Sequence, residues 1–213
     1  EEAVVQGAEA PVDPSLNATY TRTPSSFDRS KEPPYGKAPQ VKIPAVWNEK
    51  LTNGLRIYGI ENNEVPLVQF ELVIDGGFLL EDMAKTGVSN LLARMMTQGT
   101  ELKTPAELEE AIEQLGASIT VSANSEDIRI RGNTLAKNYE ATLALLQEIL
   151  LKPRWDEKEF SLIKQSTISQ IRQQEANPNA IAQNYYNRLV FGKDNIRSKN
   201  ILGTIQSVNA ITI

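Results

Sequence analysis

The sequence predicts an α+β fold in which one mostly antiparallel sheet is covered by paired helices. Three observations support this prediction: short strand patterns joined by tight turns, long helical patterns that follow in pairs, and a composition typical of folded proteins. Of the 213 residues, 40% are hydrophobic and 23% are charged. A chain of this length can bury a substantial core.

The first two predicted strands form a hairpin. The segment Leu51-Thr52-Asn53-Gly54-Leu55 places an Asn-Gly turn between strands at about 45–51 and 55–61. Asn and Gly both tolerate the positive φ that a tight hairpin turn requires. Three further strands are predicted, at 66–75, 117–123 and 127–133.

Helices are predicted between and after these strands. The first spans about 83–98. Thr104 and Glu107 form a capping box with Pro105 at the first helical position, which begins a helix that runs to Gly116. Further helices are predicted at 136–151, at 157–175 after an Asp156 cap, and at 178–190.

Residues 1–44 differ from the remainder of the chain. They contain seven of the 11 prolines and few aliphatic residues, without a regular period. Proline removes backbone donors and fixes φ, so this stretch is interpreted as an extended linker or arm. Residues 45–213 are interpreted as the folded domain.

Two missing residue types restrict the chemistry. The chain has no Cys and no His, which excludes disulfides, thiolate chemistry and the commonest metal ligand and general base. The net charge of −5 provides no basic surface for nucleic acid. No apolar run approaches the roughly 20 residues of a membrane-spanning helix, so no such segment is expected.

The stretch GVSNLLARMMTQGT, residues 87–100, presents two polar residues at a spacing used by metal ligands. Asn90 and Arg94 are four residues apart on the predicted helix and therefore lie on one face. The apolar residues between them build a packed helix. Neither Asn nor Arg is a usual ligand of zinc.

The order of these segments resembles one half of an insulinase-type metallopeptidase, the family that includes pitrilysin and the mitochondrial processing peptidase. The resemblance covers about residues 45–213. It depends on five features in sequence order: the LTNGLRIY hairpin, the strand that ends in Asp75-Gly76-Gly77, the helix of residues 87–100, Leu115-Gly116-Ala117, and FGKDNIRSKNILGT near the end.

In active members of that family the corresponding helix carries an inverted zinc motif, H-x-x-E-H, and a later helix supplies a further Glu. By this resemblance the two His fall on Asn90 and Arg94, the catalytic Glu on Ala93, and the further Glu on Gln170. The resemblance therefore implies a degenerate site with no metal ligand, no catalytic residue and no cofactor in this chain. We hypothesise that Arg94 binds a nearby carboxylate in place of the ion.

The resemblance implies a metallopeptidase-half sandwich, and the chain is expected to be the first domain of an inactive half, cut from a longer protein. Such a domain would form chamber wall and peptide-contact surface with an active half, in the same chain or in a separate subunit, where zinc is expected. A structural assembly subunit without a peptidase role is the alternative. An enzyme with another site is the third possibility, but no nucleophile elbow or phosphate loop is present. The compartment stays open, with a bacterial periplasmic or secreted setting as the family-level expectation.

Three other groups of polar side chains occur in the sequence. The carboxylates of the second helix are expected to line solvent: Glu107, Glu109, Glu110 and Glu113. The loop carboxylates Asp75, Glu81 and Asp82 could bind a cation. Tyr185, Tyr186 and Arg188 are expected to be packing and surface residues.

Overall fold

The computed structural model describes residues 25–28, 30–32 and 34–213. Most of the predicted arm, residues 1–24 with Arg29 and Pro33, lies outside this set. The described residues between 25 and 44 form no helix or strand and are exposed. The chain divides into two compact units between Glu61 and Asn62.

The first unit contains the predicted hairpin. Strands β1 (Val46–Lys50) and β2 (Arg56–Ile60) pair antiparallel. The turn between them adopts the expected geometry, because Gly54 has a φ of 91° and its N–H donates to the Leu51 carbonyl at 2.9 Å. The Asn-Gly signal therefore placed this turn correctly.

The second unit contains a three-stranded antiparallel sheet. Its strands are β3 (Leu67–Asp75), β4 (Ser118–Ala123) and β5 (Asp127–Leu135), in the order β3-β5-β4. The predicted α+β class is confirmed, although the strands form two antiparallel sheets rather than one. Leu72, Ile130 and Val121 are aligned across the three strands and contribute to the packed face of the sheet.

Six α-helices occur in the described part of the chain. They are α1 (Val88–Met95), α2 (Pro105–Gln114), α3 (Tyr139–Leu151), α4 (Glu157–Glu175), α5 (Pro178–Phe191) and α6 (Ile205–Ala210). The predicted capping box of α2 is present: Thr104 Oγ1 accepts from the Glu107 N–H, and the Thr104 N–H donates to the Glu107 carboxylate at 2.8 Å. Asp156 caps α4 as expected.

Helix α1 is shorter than the predicted 83–98. Gly87 precedes it with a φ of 102°, and a Cβ at this position would lie 2.6 Å from the Leu202 carbonyl oxygen. The chain therefore reverses at Gly87, and the helix cannot extend toward residue 83. Met83–Lys85 forms a separate 3₁₀ turn.

Two hydrophobic clusters share helix α1. The sheet cluster lies between the sheet and helices α2 and α3, and its buried members are Met96, Leu108, Ile119, Ile130, Leu145, Leu146 and Ile149. The helix cluster joins α1, α4 and α6, and its buried members are Leu91, Met95, Ile163, Ile171, Val208 and Ile211. Leu92, on α1, also packs against the sheet cluster. The packing of both layers therefore depends on where α1 lies.

The face of the sheet opposite the sheet cluster is polar and carries a charge network. Arg129 binds the Asp127 carboxylate with two hydrogen bonds, at 2.8 and 2.9 Å, and reaches the Glu71 carboxylate at 2.9 Å. Arg131 binds the second oxygen of Glu71 at 3.0 Å. The hydrogen bond from Arg129 lowers the pKa of Asp127 to about 2, with a further contribution from Asn124.

The substitution Asp127→Asn should remove a pH-dependent part of the stability. The pKa of Asp127 is lowered on folding from 3.8 to about 2, so its stabilising contribution is complete above about pH 4 and is lost as the pH falls toward 2. Unfolding free energies from urea titrations between pH 7 and pH 2 should therefore converge for the native chain and the variant as the pH falls. Asp194→Asn, which removes an exposed carboxylate elsewhere, is the matched control. A difference that stays constant over this range would contradict the assignment.

Candidate functional site

A carboxylate from the preceding loop caps the N-terminus of helix α1. Glu81 accepts hydrogen bonds from the backbone N–H groups of Gly87 and Ser89, at 2.6 and 2.7 Å, and from the Ser89 hydroxyl. A negative charge at this end of a helix is stabilising, because the first N–H groups have no partner within the helix. Two of the three loop carboxylates predicted as possible cation ligands are thus used locally, since Asp82 also accepts from the Ala84 N–H at 2.8 Å. The third, Asp75, is exposed at the end of β3.

Arg94 on α1 binds Ser166 and Thr167 on α4, and we call this contact the α1–α4 seam. Arg94 lies in the last turn of α1. Its Nη1 donates to Thr167 Oγ1 at 2.7 Å and its Nη2 donates to Ser166 Oγ at 3.1 Å. Thr167 is fully buried, so this bond satisfies a hydroxyl that water does not reach.

The hypothesis that Arg94 binds a carboxylate is wrong for the described residues. Its partners there are two hydroxyl groups, and it forms no ion pair with any of these residues. Burial lowers the pKa of the Arg94 guanidinium from its ordinary value. The group nevertheless stays charged at neutral pH, because an arginine does not lose its proton in that range.

The other three positions of the expected motif have different surroundings. Ala93 is buried, with 2% of its surface exposed. Asn90 is half-buried, and its Oδ1 atom is buried without a hydrogen-bond partner among the described residues. Gln170 is exposed on α4, about one helical turn from the two hydroxyls that Arg94 binds. Arg94 therefore brings α1 to within one turn of Gln170.

These residues do not fit a zinc ion. Zinc in proteins takes Cys, His and carboxylate ligands, whereas the seam and the motif positions present a guanidinium, two hydroxyls and carboxamides. Within the described residues, no three His, Cys, Asp or Glu side chains lie close enough to hold a metal ion. Ala93 has no group that could accept a proton. The seam therefore offers neither a zinc ligand set nor a general base.

The remaining candidate residues lie at the surface. The four carboxylates of α2 are exposed as expected, and Glu107 also caps its helix. Tyr185 and Tyr186 are exposed on α5, and Arg188 is exposed one turn later. The structure does not bring any of these residues to the seam.

Sequence reasoning missed the polar partners of Arg94. Thr167 lies four residues after Ile163 and four before Ile171, so it interrupts a buried apolar stripe of α4. A hydroxyl in such a stripe indicates a buried hydrogen bond, and this was the available signal. The cap by Glu81 has no comparable signal, because it depends on the chain reversal at Gly87.

The sequence model of the insulinase family (peptidase family M16) matches residues 57–202 of this chain. The chain therefore belongs to the insulinase family, peptidase family M16. This confirms the resemblance inferred from the segment order. Across the described residues, every helix is too short or too polar to span a bilayer.

Two curated relatives and one solved structure illustrate the comparison. A zinc protease from Rickettsia bellii is 25% identical over 75% of this chain and 38% of its own length. The mitochondrial-processing peptidase subunit beta of Rattus norvegicus is 23% identical over 82% of this chain and 36% of its own length. A peptidase M16 inactive domain from Pseudomonas fluorescens has the same fold, with a TM-score of 0.75 and 21% identity over 79% of this chain and 41% of that chain.

This chain spans 30 to 41% of the lengths of the curated relatives that it matches. The fold and the family therefore describe one part of a longer arrangement in those proteins. The names of the relatives describe whole proteins, of which this chain matches only a part.

A double-mutant cycle should measure the coupling across the seam. Arg94→Met keeps an aliphatic stem but removes both hydrogen bonds, and it leaves the buried Thr167 hydroxyl without its partner. We expect a loss of about 1.5–3 kcal/mol in the free energy of unfolding. Thr167→Val should cost less once Arg94 is already Met, which would give a coupling of about 1 kcal/mol.

This coupling is measured by urea unfolding of the native chain, the Arg94→Met variant, the Thr167→Val variant and the double variant. Arg172→Met is the matched control, because Arg172 is an exposed arginine on α4, the helix that carries Thr167. This substitution should change the free energy of unfolding by no more than about 0.5 kcal/mol. Additive effects of the Arg94 and Thr167 substitutions would show that the seam contact contributes nothing to stability.

Proposed function

We propose that this chain is a non-catalytic peptidase-like domain of an insulinase-type zinc metallopeptidase. In this proposal it forms chamber wall and substrate-contact surface together with an active half that holds zinc. The observation that carries the proposal is the Arg94 guanidinium in the α1–α4 seam. A permanent positive charge at that place opposes a divalent cation, with a Coulomb cost on the order of 8 kcal/mol for a +1 and a +2 charge at about 4 Å and an effective dielectric of about 20.

The residue pattern of α1 and α4 supports a domain that has lost metal binding and catalysis but has kept its packed fold. Four positions of the family motif hold Asn90, Ala93, Arg94 and Gln170, and we propose that they are degenerate metal and catalytic positions. The apolar residues around them still pack in both hydrophobic clusters. Selection for fold without selection for zinc would produce this combination.

The edge of the three-stranded sheet supports a peptide-contact role. Within the Asn62–Ile213 unit, β4 pairs with β5 on one side only. An open strand edge can bind an extended peptide by adding it as a further strand. The polar sheet face beside β4 carries a cavity of about 400 Å³ whose lining includes Ser118 and Thr120. Side chains of such a peptide could lie in this cavity.

The active half would be either another part of the same polypeptide or a separate subunit. The rat relative is a subunit of a peptidase, which supports a separate subunit. The two curated relatives described above extend well beyond the region that this chain matches, which supports a second half in the same polypeptide. The alternative, a structural assembly subunit without peptidase activity, shares the same fold. No specific feature of the described residues favours this alternative.

Zinc-dependent peptide hydrolysis by the complete native assembly should require this domain, whereas the isolated 213-residue chain should hydrolyse no peptide with or without added zinc. The reason is that the wall and the substrate contacts lie here and the zinc lies in the partner half. The measurement is turnover of a fluorogenic peptide library by the assembly purified from its native source, before and after deletion of this domain.

Two outcomes would reject the proposal. Unchanged turnover after deletion would exclude a chamber role. Copurification with a membrane complex that lacks any H-x-x-E-H partner would support the assembly role instead. As a control, the deletion protein should still bind zinc, which shows that the active half has remained folded.

A further inference from the structure

A cavity of about 430 Å³ lies away from the α1–α4 seam, between helix α5, the C-terminal end of α4 and the loops around residues 78–79 and 197–201. Five carboxamide side chains line it: Gln174, Gln183, Asn184, Asn187 and Asn200. Two cationic side chains, Arg197 and Lys199, and Ser125 complete its polar lining, and no carboxylate belongs to it. We call it the amide cavity. Its volume lies within the range of small ligand sites.

Among the described residues, the two cations in the amide cavity have at most one distant ion-pair partner. In the described part of the chain, the Lys199 ammonium has neither an ion pair nor a hydrogen bond, although the residue is half-buried. Arg197 approaches Glu126 only to 3.8 Å, and the Glu126 side chain is 74% exposed. Such an exposed pair contributes little. The cavity is therefore positively charged in a chain whose net charge is −5.

Part of the carboxamide set is fixed in place and part is free. Asn200 donates to the Gln174 side-chain oxygen at 2.5 Å and accepts from the Leu202 N–H at 2.9 Å. Gln183 donates to the Asn187 side-chain oxygen at 3.0 Å. The amide nitrogens of Gln174 and Asn187, and the whole Asn184 carboxamide, keep no partner among the described residues. The cavity thus has a rigid frame with free donors and acceptors.

Helix α5 turns carboxamide side chains toward the amide cavity and leaves several of its apolar side chains exposed. A surface helix ordinarily turns its apolar stripe inward and its polar face to water. In α5 the carboxamides face the amide cavity, whereas Ile181, Tyr185 and Leu189 are 51, 65 and 72% exposed. Packing among the described residues therefore does not account for the carboxamides in the cavity lining.

We propose that the amide cavity binds a peptide segment that carries a carboxylate. Lys199 and Arg197 bind the carboxylate, and the free carboxamides pair with the N–H and C=O groups of the peptide. A carboxamide both donates and accepts, which makes it the chemical complement of a peptide group, whereas a small carboxylate would leave the carboxamides without partners. This proposal does not depend on the chamber role, because the site would serve a peptidase wall and an assembly subunit equally.

The test is a titration of the ¹⁵N-labelled 213-residue chain, followed by NMR. The probe is acetyl-Gly-Asp-Gly-amide, and the matched control is the same peptide with Asn in place of Asp. Succinate and acetate distinguish a peptide site from a site for any small carboxylate. The Asp peptide should shift the signals of Asn184 and Lys199 and bind about fivefold or more tightly than the Asn peptide.

Two variants assign the binding to the amide cavity. Lys199→Met should weaken the binding of the Asp peptide about fivefold or more, and Asn184→Ala should weaken both peptides. Lys158→Met is the control for net charge, because position 158 lies about 24 Å from Gln174 along helix α4; its affinity should equal that of the native chain. Thermal unfolding of each variant checks that it is folded.

Three results would overturn the proposal. The first is the absence of shifts at the cavity residues with either peptide. The second is equal affinity for the Asp and Asn peptides, which would exclude carboxylate recognition. The third is succinate or acetate binding as tightly as the Asp peptide, which would assign the cavity to small carboxylates. Each result is independent of whether the native assembly hydrolyses peptides.

Discussion

Helix α1 contributes to both the sheet cluster and the helix cluster, and the hydrogen bonds of Arg94 fix it to α4. The helix packs Leu92 toward the sheet cluster and buries Leu91 and Met95 in the helix cluster. Arg94 adds a polar contact at 2.7 Å to a hydroxyl that is fully buried. Apolar packing is non-directional, whereas a planar guanidinium binds only along defined directions. The contact therefore sets which faces of the two helices meet.

The same contact decides the chemistry of the seam. In a partly buried place a guanidinium needs hydrogen-bond acceptors, and two hydroxyls supply them without neutralising its charge. A divalent cation would then meet a fixed positive charge and no anionic ligand. The α1–α4 seam can hold the domain together but cannot activate water through a metal. This is the physical basis for the proposal that the domain contributes surface to a peptidase and leaves catalysis to a partner half.

Local signals in the sequence predicted the fold well, and long-range contacts account for what it missed. The Asn53-Gly54 turn and the Thr104 capping box involve residues within four positions of one another, so the sequence displays them directly. The start of α1 depends on the contact of Gly87 with Leu202, which is more than 100 residues away in sequence.

For the candidate site, the sequence shows directly that Asn90, Ala93 and Arg94 are not zinc ligands, but the partner of Arg94 could not be predicted from it. Its hydroxyl acceptors lie more than 70 residues along the chain, and many carboxylates offered an equally plausible pairing by sequence. The amide cavity was missed for the same reason. It combines residues of α4, α5 and three loops that are far apart in sequence, and the FGKDNIRSKNILGT segment, although it supported the family resemblance, does not show which residues of the other segments lie beside it.

Zinc titration by calorimetry tests the central claim most directly. It compares the native chain with a variant that restores the family motif through Asn90→His, Ala93→Glu, Arg94→His and Gln170→Glu. The account predicts no zinc binding by the native chain and binding of one zinc ion by the folded, restored variant. Stoichiometric zinc binding by the native chain would contradict the account. So would a restored variant that folds, by circular dichroism, but binds no zinc, because the seam would then not occupy the position of the family metal site.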